Sequence, residues 1–182
     1  MALTRQAHTL VREHFANSTG GLAIDATCGN GHDTEFLARL GFDNVIGFDV
    51  QESAIVNTQK RLGLAGLTNV ELKHCGHERM SEFIEGEISC AMFNFGYLPK
   101  ADKNITTSEA SSLVALKTSL DHLSAAGIIC LICYPGHPAG KTETASIKRW
   151  LSKLDQHWLV NEYLSTLPNS STPVMFTIKA KK

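Results

Sequence analysis

The stretch Ala23-Ile24-Asp25-Ala26-Thr27-Cys28-Gly29-Asn30-Gly31-His32-Asp33-Thr34 gathers two glycines, two acids, a cysteine and a histidine. It begins as a short apolar run and breaks at Gly29 and Gly31. It continues into Glu35-Phe36-Leu37-Ala38-Arg39-Leu40, where Phe36, Leu37 and Leu40 recur at helical spacing. The pattern is strand, tight turn, helix. Glycine lets such a turn bend sharply and approach a ligand, because no Cβ intervenes. The free N–H groups of the helix start favour negative charge. Beyond Thr34 comes Val45-Ile46-Gly47-Phe48-Asp49, a second apolar run that ends in a carboxylate. An acid at the tip of a second strand is placed to accept both hydroxyls of a ribose.

The type of nucleoside follows from what the turn lacks and what it holds. A dinucleotide site uses G-x-G-x-x-G to seat a pyrophosphate. Here Thr34 stands where the third glycine belongs, and Asp25 and Asp33 would repel a pyrophosphate. The same acids suit a ligand bearing an ammonium and a sulfonium, which favours S-adenosylmethionine over NAD. A strand–helix turn that needs glycine for geometry alone is the simpler alternative.

The elements that position these residues are legible in order. Leu3, Ala7, Leu10, Val11 and Phe15 predict an opening amphipathic helix over residues 3–16, stopped by Asn17-Ser18-Thr19-Gly20-Gly21. Strand one is about 22–27, followed by the glycine turn and a helix to about 40, closed by Gly41. Strand two is 45–49. A helix capped by Ser53 runs to about 62, ended by Gly63 and Gly66. Strand three is 70–74 and a short helix lies around 79–84. Strand four, 88–95, is nearly all apolar and reads as buried on both faces. Ser108 caps a helix over 109–125, stopped by Gly127. Strand five is 128–134. The Pro- and Gly-rich loop 134–140 precedes a helix from about 142 to 154. Strands at about 158–165 and 173–179 close the chain.

This alternation predicts an α/β fold: a seven-stranded, mostly parallel sheet with one antiparallel strand and helices on both faces, as one domain over residues 1–182. Ligands in such sheets bind at the C-terminal ends of the strands. That rule brings loops 28–34, 49–52, 75–79, 94–107 and 134–142 to one surface.

Composition agrees with a globular chain. Its 182 residues are 43% hydrophobic and 19% charged, and the formal net charge is −1. No apolar run is long enough to span a bilayer, and the N-terminus lacks a signal-peptide pattern, so a cytoplasmic protein without membrane association is expected. The cysteines at 28, 75, 90, 130 and 133 are odd in number and lie mostly in apolar runs, as free thiols in a reducing compartment do. Cys130 and Cys133 form C-x-x-C inside a strand, where they point to opposite faces, so no metal site is expected. Residues 1–87 carry 7 Lys/Arg and 12 Asp/Glu, whereas residues 88–153 carry 7 and 4. The basic back half suits a polyanion, or is simply a solvated helix surface.

The segments Asp25 to Thr34, Gly47-Phe-Asp-Val-Gln51, Gly76-His77 and Met92-Phe-Asn-Phe-Gly-Tyr-Leu-Pro99 resemble the small class I, Rossmann-like methyltransferases of the rRNA methylase family. Asp102-Lys103, Thr106-Thr107, Tyr134-x-Gly136, Gly140, Glu143 and Asn169-x-x-x-Pro173 extend the resemblance over nearly the whole chain. One departure is visible: Lys100 and Ala101 replace two glycines usual after Pro99. The nearest activity in that family is N-methylation of 5-aminomethyl-2-thiouridine at the tRNA wobble position. The resemblance therefore implies S-adenosylmethionine as donor, tRNA as partner and a homodimer. A methyltransferase acting on rRNA or a small amine, and a non-catalytic adenosine-binding module, are the alternatives.

On this resemblance Asp25, Cys28, Gly29, Asn30, Gly31 and His32 are expected around the methionine moiety. Asp33 and Thr34 either cap the helix or touch ligand. Asp49 takes the ribose, with Gln51 at the ribose or adenine edge, and Gly76 and His77 lie at the adenine. Asn94 is the candidate catalytic residue: its side-chain oxygen and the Phe95 carbonyl would accept N–H bonds from an amine and aim its lone pair at the methyl group. Tyr97 is expected to stack on the base or close the pocket. Lys100, Asp102, Lys103, Tyr134 and His137 are expected at the substrate. His137, His32 and Tyr134 are candidate proton acceptors, with release to water the alternative. Lys100, Lys103, Lys141, Lys148 and Arg149 are candidates to meet phosphates.

Overall fold

The apolar runs and helical stripes become alternating strands and helices in the computed structural model, which describes residues 3–96, 107–164, 169 and 171–181. Helix α1 (Leu3–His14) leads to β1 (Leu22–Asp25), α2 (His32–Leu40), β2 (Asn44–Asp49), α3 (Glu52–Ala65) and β3 (Val70–His74). A 3-10 helix (His77–Glu82), β4 (Ile88–Asn94), α4 (Glu109–Asp121), β5 (Leu123–Cys133), α5 (Pro138–Leu151), β6 (Trp158–Leu164) and β7 (Val174–Ala180) follow. The strands form one sheet in the order β3-β2-β1-β4-β5-β7-β6. Strands β1 to β5 pair in parallel, and β7 runs antiparallel to both β5 and β6. This is the seven-stranded, mostly parallel sheet expected from the alternation, and its strand order is that of the class I methyltransferase fold implied by the resemblance.

Strand periodicity divides the core in two. Ala91 and Phe93 of β4, with Ile129, Leu131 and Cys133 of β5, face a cluster completed by Leu116 of α4 and Ile147 of α5. Cys90 and Met92, with Ile128, Cys130 and Ile132, face the other side, against Leu3, Ala7 and Val11 of α1 and Leu37 of α2. Burying each such aliphatic side chain contributes about 1.5–3 kcal/mol. Cys130 and Cys133 thus lie in opposite layers, and all five cysteines are free thiols. Burial pushes the Cys130 thiol up to about 12.

Four boundaries differ from expectation. Helix α4 ends at Asp121, and Leu123 to Gly127 extend β5 instead of prolonging the helix. Leu123 pairs with Ile88, and a Cβ on Gly127 would lie 2.7 Å from Leu123 Cδ1 and 3.0 Å from the Ile88 carbonyl. Sheet pairing overrides the helical preference of Ala125 and Ala126 there. Helix α5 starts at Pro138, inside the presumed loop, because proline suits the first helical turn and His137 Nδ1 accepts the Gly140 N–H at 3.1 Å. Helix α3 runs through Gly63 to a left-handed Gly66, and begins after Gln51 without a side-chain cap. The short helix near 79–84 is a 3-10 helix that begins at His77. Among the described residues no helix is long and apolar enough to cross a membrane.

Candidate active site

A cavity of about 690 Å³ lies across the C-terminal tips of β1, β2, β4 and β5. Its wall begins at the glycine turn. Gly29 and Gly31 have φ of 53° and 76°, left-handed conformations that glycine adopts without strain. A Cβ on Gly31 would sit 2.9 Å from the Thr58 backbone, so α3 packs directly on the turn. Arg61 Nε donates to the Asn30 carbonyl at 2.7 Å and braces it from behind. Asp49 holds the turn from the front, accepting the Gly29 N–H at 2.9 Å and the Gln51 N–H at 2.9 Å. A carboxylate has about four acceptor positions, so two such bonds leave capacity for a ligand.

Cys28, Gly29, Asn30, His32, Asp33, Asp49, Gln51, Gly76, His77, Asn94, Tyr134 and His137 line this cavity, as do Glu78 and the carboxyl-terminal turn residue Ser171. Three expected ligand residues do not. Asp25 is fully buried beneath the turn, and it accepts the Thr34 hydroxyl and the Thr27 N–H. Thr34 is committed to that bond, and Gly31 is turned toward Thr58. These three shape the turn from below. Burial, with the negative charge of Asp33 added, pushes the Asp25 carboxyl up to about 7, against the hydrogen bonds from Thr34 and Thr27. Neither Asp33 nor Thr34 caps α2: its N-cap is Gly31, with no side-chain bond.

Asp33 instead joins two distant elements. One carboxylate oxygen accepts His8 Nε2–H from α1 at 2.6 Å, and the other accepts the Asn94 side-chain N–H. A carboxylate has no proton to offer, so the Asn94 nitrogen must face Asp33 and the Asn94 oxygen must face away. That oxygen accepts the Tyr134 hydroxyl at 3.1 Å. The Asn94 N–H donates to Thr27 Oγ1 at 2.8 Å and fixes the tip of β4 against β1. The parity of the strands explains the meeting. Asn94 and Tyr134 share the even-numbered face of Met92 and Ile132, which is the face α1 and α2 cover.

His77 is 6% exposed, and Phe93 and Phe95 present edges to its ring. Its Nδ1–H donates to the Ala26 carbonyl at 3.1 Å, which leaves Nε2 as a lone-pair acceptor without a partner among the described residues. Burial lowers the pKa of this ring, which favours its neutral form. Burial raises the Tyr134 phenol. His137, expected at the substrate, caps α5 through Nδ1 while lining the cavity.

The β4 exit is closed at its base. Gly96 and Thr107 exchange backbone and side-chain bonds: Thr107 N–H donates to the Gly96 carbonyl at 3.1 Å, and the Gly96 N–H donates to Thr107 Oγ1 at 3.0 Å. The same hydroxyl donates to Glu143 at 3.0 Å, and Ser112 donates to the other Glu143 oxygen at 2.5 Å. Glu143 is 1% exposed, and burial raises its pKa. Tyr97, Lys100, Asp102 and Lys103 lie outside the described residues. Lys148 is paired with Glu162 at 2.7 Å, whereas Lys141 and Arg149 are exposed. Among the described residues no group of three or more His, Cys, Asp or Glu is placed to hold a metal ion.

The sequence reading missed Thr4 and His8, which α1 brings to the site. Their signal was faint: Thr4, His8 and Arg12 form a polar row, four residues apart, beside the buried stripe Leu3, Ala7 and Val11.

A cavity at the strand tips of this sheet, walled by a glycine turn and an acid on β2, defines a class I methyltransferase. Residues 45–179 match the protein family described as "Putative rRNA methylase". The crystal structure of a putative rRNA methylase from Clostridium thermocellum superposes with a TM-score of 0.92 at 33% identity, covering 98% of this chain and 97% of that one. A putative methyltransferase from Streptococcus mutans, solved in complex with SAH, gives 0.85 at 32% identity over 95% and 97%. A chloroplastic tRNA (mnm(5)s(2)U34)-methyltransferase of Arabidopsis thaliana is 33% identical over 148 residues, 74% of this chain and 54% of that protein. The chain thus spans about half the length of that relative. It belongs to the rRNA methylase family and is an S-adenosylmethionine-dependent methyltransferase.

Proposed function

We propose that the protein N-methylates the 5-aminomethyl group of uridine or 2-thiouridine at the tRNA wobble position, giving 5-methylaminomethyl. The observation that carries this reading is the orientation of Asn94. Asp33 holds its side-chain nitrogen, so its oxygen lies on the opposite side of the carboxamide, where it accepts from the cavity-lining Tyr134. An acceptor of N–H bonds in that place suits an amine nucleophile. The relative from Arabidopsis supports a tRNA acceptor.

The cavity fits S-adenosylmethionine. Asp33 offers negative charge to its cationic methionine end, Asp49 offers acceptors to its ribose, and the volume suits a nucleoside with an amino-acid tail. In this reading Cys28, Gly29, Asn30 and His32 enclose the methionine end. Asp49 and Gln51 receive the ribose, and Gly76 and His77 the adenine. When bound, the cofactor supplies an electrophilic methyl group on sulfur. Asn94 Oδ1 keeps a lone pair beyond the Tyr134 bond, and with it orients the acceptor nitrogen. Tyr134 and His137 border the acceptor. The ammonium formed on nitrogen loses its proton to water or to a basic group at the rim. A homodimer belongs to the same reading and is checked by light scattering.

Incubating the protein with labelled S-adenosylmethionine and tRNA from cells lacking the activity, followed by nucleoside mass analysis, tests the proposal. The expected product is 5-methylaminomethyl-uridine or its 2-thio form. Label confined to rRNA or to small amines would overturn it. In the same assay Asn94→Ala is expected to retain cofactor affinity and to lose on the order of a hundredfold in turnover.

A further inference from the structure

Helix α1 is not only a cover for the sheet. It reaches the site at two points. His8 donates to Asp33 at 2.6 Å, and Thr4 lines the cavity together with Tyr134. The His8 ring lies flat on Phe36, with centroids 3.9 Å apart and planes 4° apart, and is 20% exposed against 6% for Asp33. Stacking holds the ring in one plane, and the plane aims Nε2 at the carboxylate. With one oxygen of Asp33 engaged by His8, its other oxygen is turned to the Asn94 nitrogen.

We infer that His8 is a positioning residue for methyl transfer: through Asp33 it fixes which end of the Asn94 carboxamide faces the cavity. The chain of contacts runs from α1 to α2 to β4 to β5, so four elements set one oxygen atom. Without the His8 donor, Asp33 is free to rotate about its side-chain torsions, and the carboxamide loses the anchor that distinguishes its oxygen from its nitrogen. An inverted carboxamide would present N–H groups to an amine and repel its hydrogens. The role concerns orientation, so it affects turnover and not cofactor affinity. The inference rests on the proposed part of Asn94 in aiming the nucleophile.

Two variants separate positioning from packing. His8→Gln keeps a donor at the reach of Nε2 and removes the ring. His8→Phe keeps a ring to stack on Phe36 and removes the donor. Positioning predicts that His8→Gln retains most of kcat and that His8→Phe loses on the order of tenfold, both with unchanged SAH affinity by calorimetry. A packing role predicts the reverse order, which would overturn the inference. In the Asn94→Ala background His8→Phe should have no further effect, whereas independent roles would give additive losses. The side-chain amide protons of Asn94, identified in the 15N-labelled, SAH-saturated full chain by their absence from Asn94→Ala, give a readout that needs no acceptor. Their exchange with water should rise in His8→Phe and not in His8→Gln; equal exchange in all three proteins would overturn the inference. Full turnover by Asn94→Ala, with these exchange rates as expected, would instead remove the proposed chemistry of Asn94 and leave the positioning intact.

Discussion

Asp33 and Asn94 stand 61 residues apart in sequence and meet carboxylate to carboxamide where α2 begins and β4 ends. The contact joins the wall of the cavity to the residue proposed to orient the acceptor. Its geometry follows from charge: the proton-bearing nitrogen must face the carboxylate, and the oxygen is left for the cleft. The cavity therefore has a defined donor side and a defined acceptor side before any ligand enters.

Asp49 is expected to control cofactor affinity twice over, through the ribose and through the Gly29 and Gln51 N–H groups it holds. Asp49→Ala should weaken SAH binding by about ten- to a hundredfold, the range for lost hydrogen bonds to a charged group. Asp49→Asn should fall between that variant and the wild type. Calorimetric titration gives the values, and an unchanged Kd for Asp49→Ala would displace the ribose from this residue.

Gly31 combines a φ of 76° with a 2.9 Å approach of its would-be Cβ to the Thr58 backbone. Gly31→Ala should cost about 2 kcal/mol or more. Gly66 has a similar φ of 67° but open space around it, so Gly66→Ala should cost only about 1 kcal/mol. Thermal unfolding of the two variants side by side measures the difference, which belongs to the packing of α3 on the turn. Equal losses would mean that α3 yields without cost.

The Asp25 carboxyl predicts a pH dependence. In the folded protein burial and the Asp33 charge hold its pKa at about 7, above the ordinary value of 3.8. Between those two values the folded chain retains a proton that the unfolded chain has released. Stability from this group therefore falls as pH rises from about 4 to 7 and is flat above. Asp25→Asn removes the titration, so its stability relative to wild type should improve from pH 5 to pH 8. Urea unfolding at the two pH values reads this; parallel pH profiles for the two proteins would show that Asp25 is not buried as described.

Glu143 is the shared acceptor of Thr107 and Ser112. Glu143→Ala would leave two hydroxyls without their partner, at about 1–3 kcal/mol for each that stays buried and unpaired. Because Thr107 also closes on Gly96, the variant should raise the KM for the acceptor while sparing SAH affinity. Steady-state kinetics with tRNA as the varied substrate, beside a thermal melt, test both parts. A stability loss with an unchanged acceptor KM would confine Glu143 to the scaffold.

Much of this protein is written locally in its sequence. The alternation of apolar runs and helical stripes specified a parallel sheet with helices on both faces, and it placed strands β6 and β7 within a residue of where they lie. The glycine turn and Asp49 were legible because turn conformation and strand ends depend on neighbouring residues. Period-two alternation even assigns Asn94 and Tyr134 to one face. Local preference misled for two reasons: at Leu123 the nonlocal pairing with Ile88 won, and in the proline-rich loop the local cap of His137 on Gly140 starts a helix at Pro138.

The tertiary structure alone decided the partners. Whether Asp25 lines the cavity or lies under it depends on how α2 sits on β1, and burial placed it underneath. The polar row of Thr4, His8 and Arg12 does not say what it meets, because His8's partner Asp33 is 25 residues away and arrives only when α1 packs beside α2. Periodicity encodes which face of an element is apolar. Which polar side chains then meet at the ends of those elements depends on the layering of helices over the sheet, a property of the packed molecule that no short stretch of sequence carries.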